Sequence, residues 1–424
     1  MTRKWIAPAF GVLLLALVPA AYADGPAKSG NAAFDAAVDI VMKDFYDPAA
    51  LPAFEKSVDQ TVAGLPPPAE ANAHPDLYGP ALAHVLTSLN ASHTGHYDAN
   101  QLAYYELADI FRFNYRQQLR QLFPPDGRIT YPGIGIASAV IDGKRYVTDV
   151  YDGGPAAKAG VVVGDEILSA DGAPFEEINS FRGKIGSDER LELRRQANAA
   201  PMTVSVPVAE LQPTEALLDG ITNSAHVVER GGKRIGYLHI WTFAAGDVEQ
   251  TIDNALTGPL AGADALVVDL RCRWGGAPPD AAEIFLGGTP PFRFYGRDGK
   301  GDLSNVRWHK PVVAIIDGGT RSGMEVFAYA LKAKGIPLVG ERTAGNLLGG
   351  RGYMLPDGTL LELAVAGVEV DGHKLEGVGV PPDIAVPFDI RYAAGHDPQL
   401  DAAMDKATAV LSTSSAKEKE PTAD

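Results

Sequence analysis

The chain has 424 residues, with 37 Lys+Arg against 53 Asp+Glu and a formal net charge of −16. At roughly 100–200 residues per domain this predicts two to three domains, and 46% apolar with 21% charged residues excludes a fibrous repeat or a largely disordered chain. The acidic balance argues against a nucleic-acid binder, and the single cysteine, Cys272, excludes an intramolecular disulfide and a cysteine-built zinc site.

Residues 1–23 read as a cleavable signal peptide. Arg3 and Lys4 precede an apolar run from Phe10 to Val18, and Ala21-Tyr22-Ala23 offers a cut before Asp24. The run is too short to span a membrane, and no later segment reaches 18 apolar residues. The expected location is therefore periplasmic or secreted. Residues 24–33 read as a small, polar linker. Residues 34–125 read as a helical region. Phe34, Val38, Val41, Met42 and Phe45 form one apolar stripe at helical spacing, and Leu107, Ile110, Phe111 and Tyr115 form another.

Pro124-Pro125-Asp126-Gly127 breaks that pattern, and short strands with Gly turns follow over 126–210. The pieces Gly133-Ile134-Gly135-Ile136 and GGPAAKAGVVVGDEILSADG (153–172), with a closing strand Val204–Val208, resemble a PDZ domain. That resemblance implies that an extended peptide C-terminus adds as a strand beside Gly133–Ile136. A unit that only spaces or gates its neighbour is the plainer alternative.

Over 211–390 strands alternate with helical stretches, which predicts an α/β core. Ala265–Leu270 and Val312–Ile316 are apolar runs, as buried parallel strands would be. Pro278–Leu286 and Gly323–Ala333 read as helices. Residues 391–424 read as a C-terminal helix and tail, with the polar stretch 412–424 disordered.

Four fragments carry reactive side chains. Ser322 opens a helix after a buried strand, where free N–H groups favour an oxyanion. Ser322 and Glu325 equally make a capping box, which needs no chemistry. Gly275 and Gly276 follow the other buried strand and permit close backbone approach. His93 lies in the loop Ser92-His93-Thr94-Gly95-His96 and is a candidate base; His93 with His96 is alternatively a metal pair. Glu376 sits in a Gly-rich turn.

As a set these fragments resemble the tricorn-core and C-terminal-processing serine proteases, through IGYLHIWTF (235–243), VVDLRCRWGG (267–276), PVVAIIDGGTRSGMEVFAYAL (311–331), LVGERTAGN (338–346) and LEGVGVPPDIAV (375–386). The resemblance implies an α/β and α+β multidomain chain with a ClpP/crotonase-like protease core. It puts Ser322 at the nucleophile and the N–H groups of Gly323 and Gly275 or Gly276 at the oxyanion hole. C-terminal-processing enzymes use a lysine base after a T-x-G stretch. Here Asn346 follows Thr343-Ala344-Gly345, and neither it nor Arg342 or Arg351 can take a proton. The tricorn-type branch uses a Ser-His pair and a glutamate, which Ser92, His93 and Glu376 match. The implied activity is an endopeptidase acting on polypeptides, without metal or cofactor. A catalytically idle peptide-binding relative, a PDZ scaffold and a metal hydrolase built on His93 and His96 are the rivals. The oligomeric state stays open.

Overall fold

The computed structural model describes residues 25–417, except 279, 288–291, 294, 302 and 305–306. The signal-peptide reading of residues 1–23 lies outside the described residues.

The N-terminal helices are Ala32–Asp44, Leu51–Val62, Tyr78–Thr87, Leu102–Ile110 and Arg116–Leu122. The first starts where the Asn31 side chain accepts from the N–H groups of Ala33 and Phe34. Its stripe of Phe34, Val38 and Val41 is buried against Leu82, Val85 and Leu86 and against Leu361 and Leu363 from far along the chain. Between the third and fourth helices runs a three-residue strand, Gly95–Tyr97, which the helical reading lacked. It pairs antiparallel with Leu360–Ala366, placing Gly95 opposite Glu362. That pairing ties the His93 loop to the rest of the molecule.

The next unit is a five-stranded antiparallel sheet in the order Ile136–Ile141, Lys144–Val150, Glu166–Ala170, Asp188–Arg194, Met202–Pro207. Asp142 and Gly143 both have positive φ, 49° and 77°, as a two-residue hairpin turn with right-handed strand twist requires. Ile136–Ile141 lies at the sheet edge.

The larger sheet has six strands in the order Ile384–Ala385, Leu338–Gly340, Val312–Ile316, Ala265–Asp269, Lys233–His239, His226–Arg230. All pairs are parallel except the last. Ala265–Asp269 and Val312–Ile316 are buried throughout, so the apolar runs have the environment their composition demands. Parallel neighbours end on the same sheet edge. The loops 270–276 and 317–322 therefore leave side by side, where open α/β sheets gather their ligands.

Two local readings change. The stretch 278–286 is not an α-helix; a short 3₁₀ helix covers Ala281–Phe285. The C-terminal helix runs over Pro398–Lys417, so 412–417 is helical where the polar composition predicted disorder; residues 418–424 lie outside the described residues. Ala403, Met404 and Ala407 of this helix cover the sheet at Ile235, Val267 and Ile315, which supplies the packing that composition alone does not reveal.

Candidate active site

The loop after Val312–Ile316 is held by its own side chains. Asp317 accepts from the N–H groups of Gly319 (2.8 Å) and Thr320 (3.2 Å). The Thr320 hydroxyl donates to the Leu270 carbonyl at 2.9 Å, locking this loop to its neighbour. Ser322 then takes φ 57° and ψ −133°. A non-glycine residue there costs about 1–3 kcal/mol and persists only where the surroundings impose it.

That backbone bears on the capping-box alternative. The Ser322 side chain makes no cap hydrogen bond. Glu325 accepts from the Thr343 hydroxyl (2.6 Å) and the N–H groups of Gly345 (2.8 Å) and Asn346 (2.7 Å). In turn the Asn346 carbonyl accepts from Ser322 N–H at 2.9 Å. So Glu325 is a brace between the helix and the 343–346 loop. Asn346 stands behind Ser322 through its backbone, and Lys332 is ion-paired to Asp383 at 2.6 Å.

The glycines pack tightly against this turn. A Cβ on Gly275 would sit 2.5 Å from the Ser322 Cβ, and one on Gly323 would sit 2.6 Å from the Ala277 nitrogen. Gly276 has φ 90°. The Gly275 carbonyl is turned away from Ser322, accepting from Phe243 N–H at 3.0 Å. Among the described residues no hydrogen bond takes up the N–H groups of Gly275, Gly276 or Gly323, which leaves unused donors beside Ser322.

Ser92, His93 and Glu376 come together across the fold. The Ser92 hydroxyl donates to Glu376 Oε2 at 2.9 Å, and its N–H donates to Oε1 at 3.0 Å. His93 Nδ1 lies 3.0 Å from the Ser92 oxygen. Because the one Ser92 proton goes to the carboxylate, Nδ1–H of neutral His93 is the donor, which leaves Nε2 with its lone pair. Leu347 N–H also donates to Glu376, at 2.6 Å. Burial, aided by the positive Arg321, lowers the His93 pKa to about 4. His96, by contrast, is hydrogen-bonded to the Thr359 hydroxyl at 2.9 Å. Among the described residues no three His, Cys, Asp or Glu side chains are grouped to hold a metal ion.

His93 and Ser322 line one cavity of about 160 Å³, with Gly275 and Gly276. They are not hydrogen-bonded to each other among the described residues. Three lining features escaped the sequence reading. Gly350 packs on the His93 ring, where a Cβ would be 2.9 Å from Cδ2. Arg321 lies over the Trp274 ring, 5.1 Å from its centre. Glu362 is a buried carboxylate. Outside the cavity, Glu106 accepts from Arg273 (2.7 Å) and from Trp274 Nε1 (2.9 Å), which fixes Trp274 in the cavity wall. A lone charged residue inside an apolar run, as in LLELAVA (360–366), was the available clue to Glu362.

The four residues of the PDZ loop, Gly133, Ile134, Gly135 and Ile136, lie beside Leu102, Phe175 and Phe181, with about 10 Å³ of open space. Leu102 is 3% exposed, and its N–H donates to Glu177 at 3.4 Å. Of the helix Leu102–Ile110, it is Leu102 that lines this space.

Two of these units resemble known protein families. Residues 234–386 match the model of peptidase family S41, and residues 146–195 match a PDZ domain. The chain is 30% identical over 277 residues to a carboxyl-terminal-processing protease of Picosynechococcus sp., covering 60% of this chain and 65% of that protein. It is 31% identical over 280 residues to tricorn protease homolog 1 of Streptomyces coelicolor, covering 62% of this chain and 26% of that one. The chain thus spans less than two thirds of the length of these relatives. Among solved structures it resembles the photosystem II D1 C-terminal processing protease, with TM-score 0.51, 20% identity and coverage of 88% of this chain and 99% of that one. Mature CPAF gives TM-score 0.52, 15% identity and coverage of 90% and 98%. The chain is thus a mixed α/β multidomain protein with a peptidase S41 domain over residues 234–386 and a PDZ domain over residues 146–195.

Proposed function

We propose that the protein is a serine endopeptidase that hydrolyses exported polypeptides through an acyl-enzyme. The observation that carries this reading is the chain Glu376–Ser92–His93, assembled from residues 284 apart in sequence and ending in the cavity that Ser322 lines. In this reading substrate binding brings His93 Nε2 to the Ser322 hydroxyl. His93 takes that proton as Ser322 attacks the scissile carbonyl, then gives it to the leaving amine. The N–H of Gly323, with that of Gly275 or Gly276, receives the oxyanion. Water repeats the cycle and frees the new C-terminus. Ser92 and Glu376 hold the His93 tautomer and stabilise the imidazolium. The scheme uses neither metal nor cofactor.

Glu376→Gln tests it. The amide keeps the shape but removes the charge that faces Ser92 and the imidazolium. The expected result is a fall of roughly 10²–10³-fold in kcat with KM little changed, and a lower melting temperature, because the amide NH2 must face the N–H of Ser92 or of Leu347. An unchanged kcat would remove Glu376 from the mechanism. The pH profile gives a second test. His93 is a base only when neutral, so activity is lost on the acid side. With its pKa near 4, kcat/KM should stay full down to about pH 5 and halve near pH 4, because this profile reports the free enzyme. Half-loss near 6.5, the ordinary histidine value, would contradict the buried, neutral His93.

The PDZ domain is proposed to gate the enzyme. Leu102 lines the peptide groove, and the same helix carries Leu107 and Ile110 into the cavity beside Ser322. A peptide C-terminus pairing with the edge strand Ile136–Ile141 would have to displace Leu102. Leu102→Ala should then raise basal cleavage and weaken stimulation by C-terminal peptides, measured as kcat with and without peptide; identical rates would refute gating. The absent His93–Ser322 hydrogen bond favours a second reading, a catalytically idle peptide-binding scaffold. Among the described residues no helix is long and apolar enough to cross a membrane. Export is proposed from the basic, apolar and Ala-Tyr-Ala sequence of residues 1–23, and N-terminal sequencing of the secreted protein should begin at Asp24.

A further inference from the structure

Glu362 is 2% exposed, between Leu361 and Leu363, which are fully buried. Its Oε2 accepts from the Tyr97 hydroxyl at 3.4 Å, a long bond. Its Oε1 has no hydrogen-bond donor among the described residues, yet the side chain lines the cavity with Ser322 and His93. Burial pushes the Glu362 carboxyl up, and Arg321 pulls it back toward the charged form. Arg321 makes no ion pair with it, its guanidinium lying over Trp274 instead. An unpaired carboxylate is expensive to bury. Nothing in the reaction scheme above uses this one.

Leu107, Ile110, Phe111 and Leu348 give the cavity apolar walls, and Arg321, His93 and Ser322 line it as well. The volume, about 160 Å³, matches the roughly 150 Å³ that accepts a benzene-sized guest. Apolar walls beside a carboxylate whose Oε1 lacks a donor suit an unbranched alkyl chain with a cationic tip. We propose that this cavity receives a lysine side chain on the acyl side of the scissile bond, with Glu362 as the specificity-determining residue. This rests on the serine-peptidase reading. The apolar walls take the methylenes, and the ammonium supplies the donor that Glu362 Oε1 lacks.

Product-like peptides test the pocket without turnover. Full-length Ser322→Ala protein is titrated calorimetrically with N-acetyl-Ala-Ala-Lys and with the same peptide ending in norleucine, which keeps the methylenes and drops the ammonium. The lysine peptide should bind roughly 10–100-fold more tightly, the range for a hydrogen bond to a charged group. Adding Glu362→Gln should erase the difference, with Glu362→Asp restoring part of it. Equal affinities, no binding of either peptide, or a preference that survives Glu362→Gln would each overturn the proposal. Melting curves establish that the variants fold, and the norleucine comparison needs no variant at position 362. Digestion of an unfolded protein by the Ser322 form separates the two readings. Cuts after apolar residues only would refute the lysine pocket and leave the peptidase. A lysine preference in binding with no cleavage would refute the peptidase and leave the pocket.

Discussion

Ser322→Ala is expected to lower kcat/KM on an unfolded protein substrate by about 10⁴–10⁶-fold, and His93→Ala by about as much. The double variant should be scarcely worse than either, because the nucleophile and its base act as one unit and the second loss removes nothing further. Folding should survive in Ser322→Ala. The Ser322 hydroxyl makes no hydrogen bond among the described residues, and its backbone conformation is imposed by Asn346, Gly275 and the brace from Glu325 rather than by its side chain. The His93 ring does pack on Gly350 and bond Ser92, so a lower melting temperature is expected for that variant, and His93→Gln is the better-filled control. Rates are read from cleavage products by mass spectrometry, with circular dichroism as the check on folding. If Ser322→Ala cuts at the parental rate, the nucleophile is elsewhere. If the parent itself does not cut while C-terminal peptides still bind, the scaffold reading replaces the enzyme.

The parts of this site that sequence made visible are those fixed by short-range physics. Ala265–Leu270 and Val312–Ile316 are apolar runs that only a strand buried on both faces explains, and parallel pairing then brings their trailing loops together. Ser322 was visible as a residue but ambiguous as a role. The S-x-x-E spacing fits a capping box equally well, and neither the positive φ of Ser322 nor the bond of Glu325 to Thr343 has a local sequence signal. The strand Gly95–Tyr97 is three residues long, too short to display a period, and its pairing with Leu360–Ala366 is a long-range event. The same pairing puts Gly95 opposite Glu362 and brings Tyr97 within reach of the carboxylate. The local pattern around 362 reports burial but not which cavity the carboxylate enters. Gly350 follows another glycine and carries no local signal of a contact. Its reason is the His93 ring 257 residues away in sequence.

Gly275→Ala is expected to cost at least 10²–10³ in kcat while leaving the protein folded, the loss typical of removing one oxyanion donor. Gly275 is not among the residues with positive φ, so alanine suits its backbone and the penalty is one of space alone. The added methyl would stand 2.5 Å from Ser322 Cβ, 2.7 Å from the Arg321 carbonyl and 2.9 Å from the Gly323 nitrogen. Two of those three atoms are backbone, so no rotation of a side chain relieves the contact. The turn must shift, and with it the nucleophile and the donors proposed for the oxyanion move apart. The Thr320–Leu270 bond and the Asn346 carbonyl resist that shift from behind, which directs the strain into the site rather than into the sheet. Gly319→Ala is the matched control. It lies on the same loop, its nearest neighbour to an added methyl is the Asp317 carboxylate at 3.1 Å, and it is three residues before Ser322. It should retain most activity. Burst labelling of Ser322 by a fluorophosphonate separates lost reactivity from lost binding. A Gly275→Ala protein that labels and cleaves like the parent would mean that the Gly275 peptide is not held against the transition state, and the oxyanion donors would have to be sought at Gly276 and Gly323 alone.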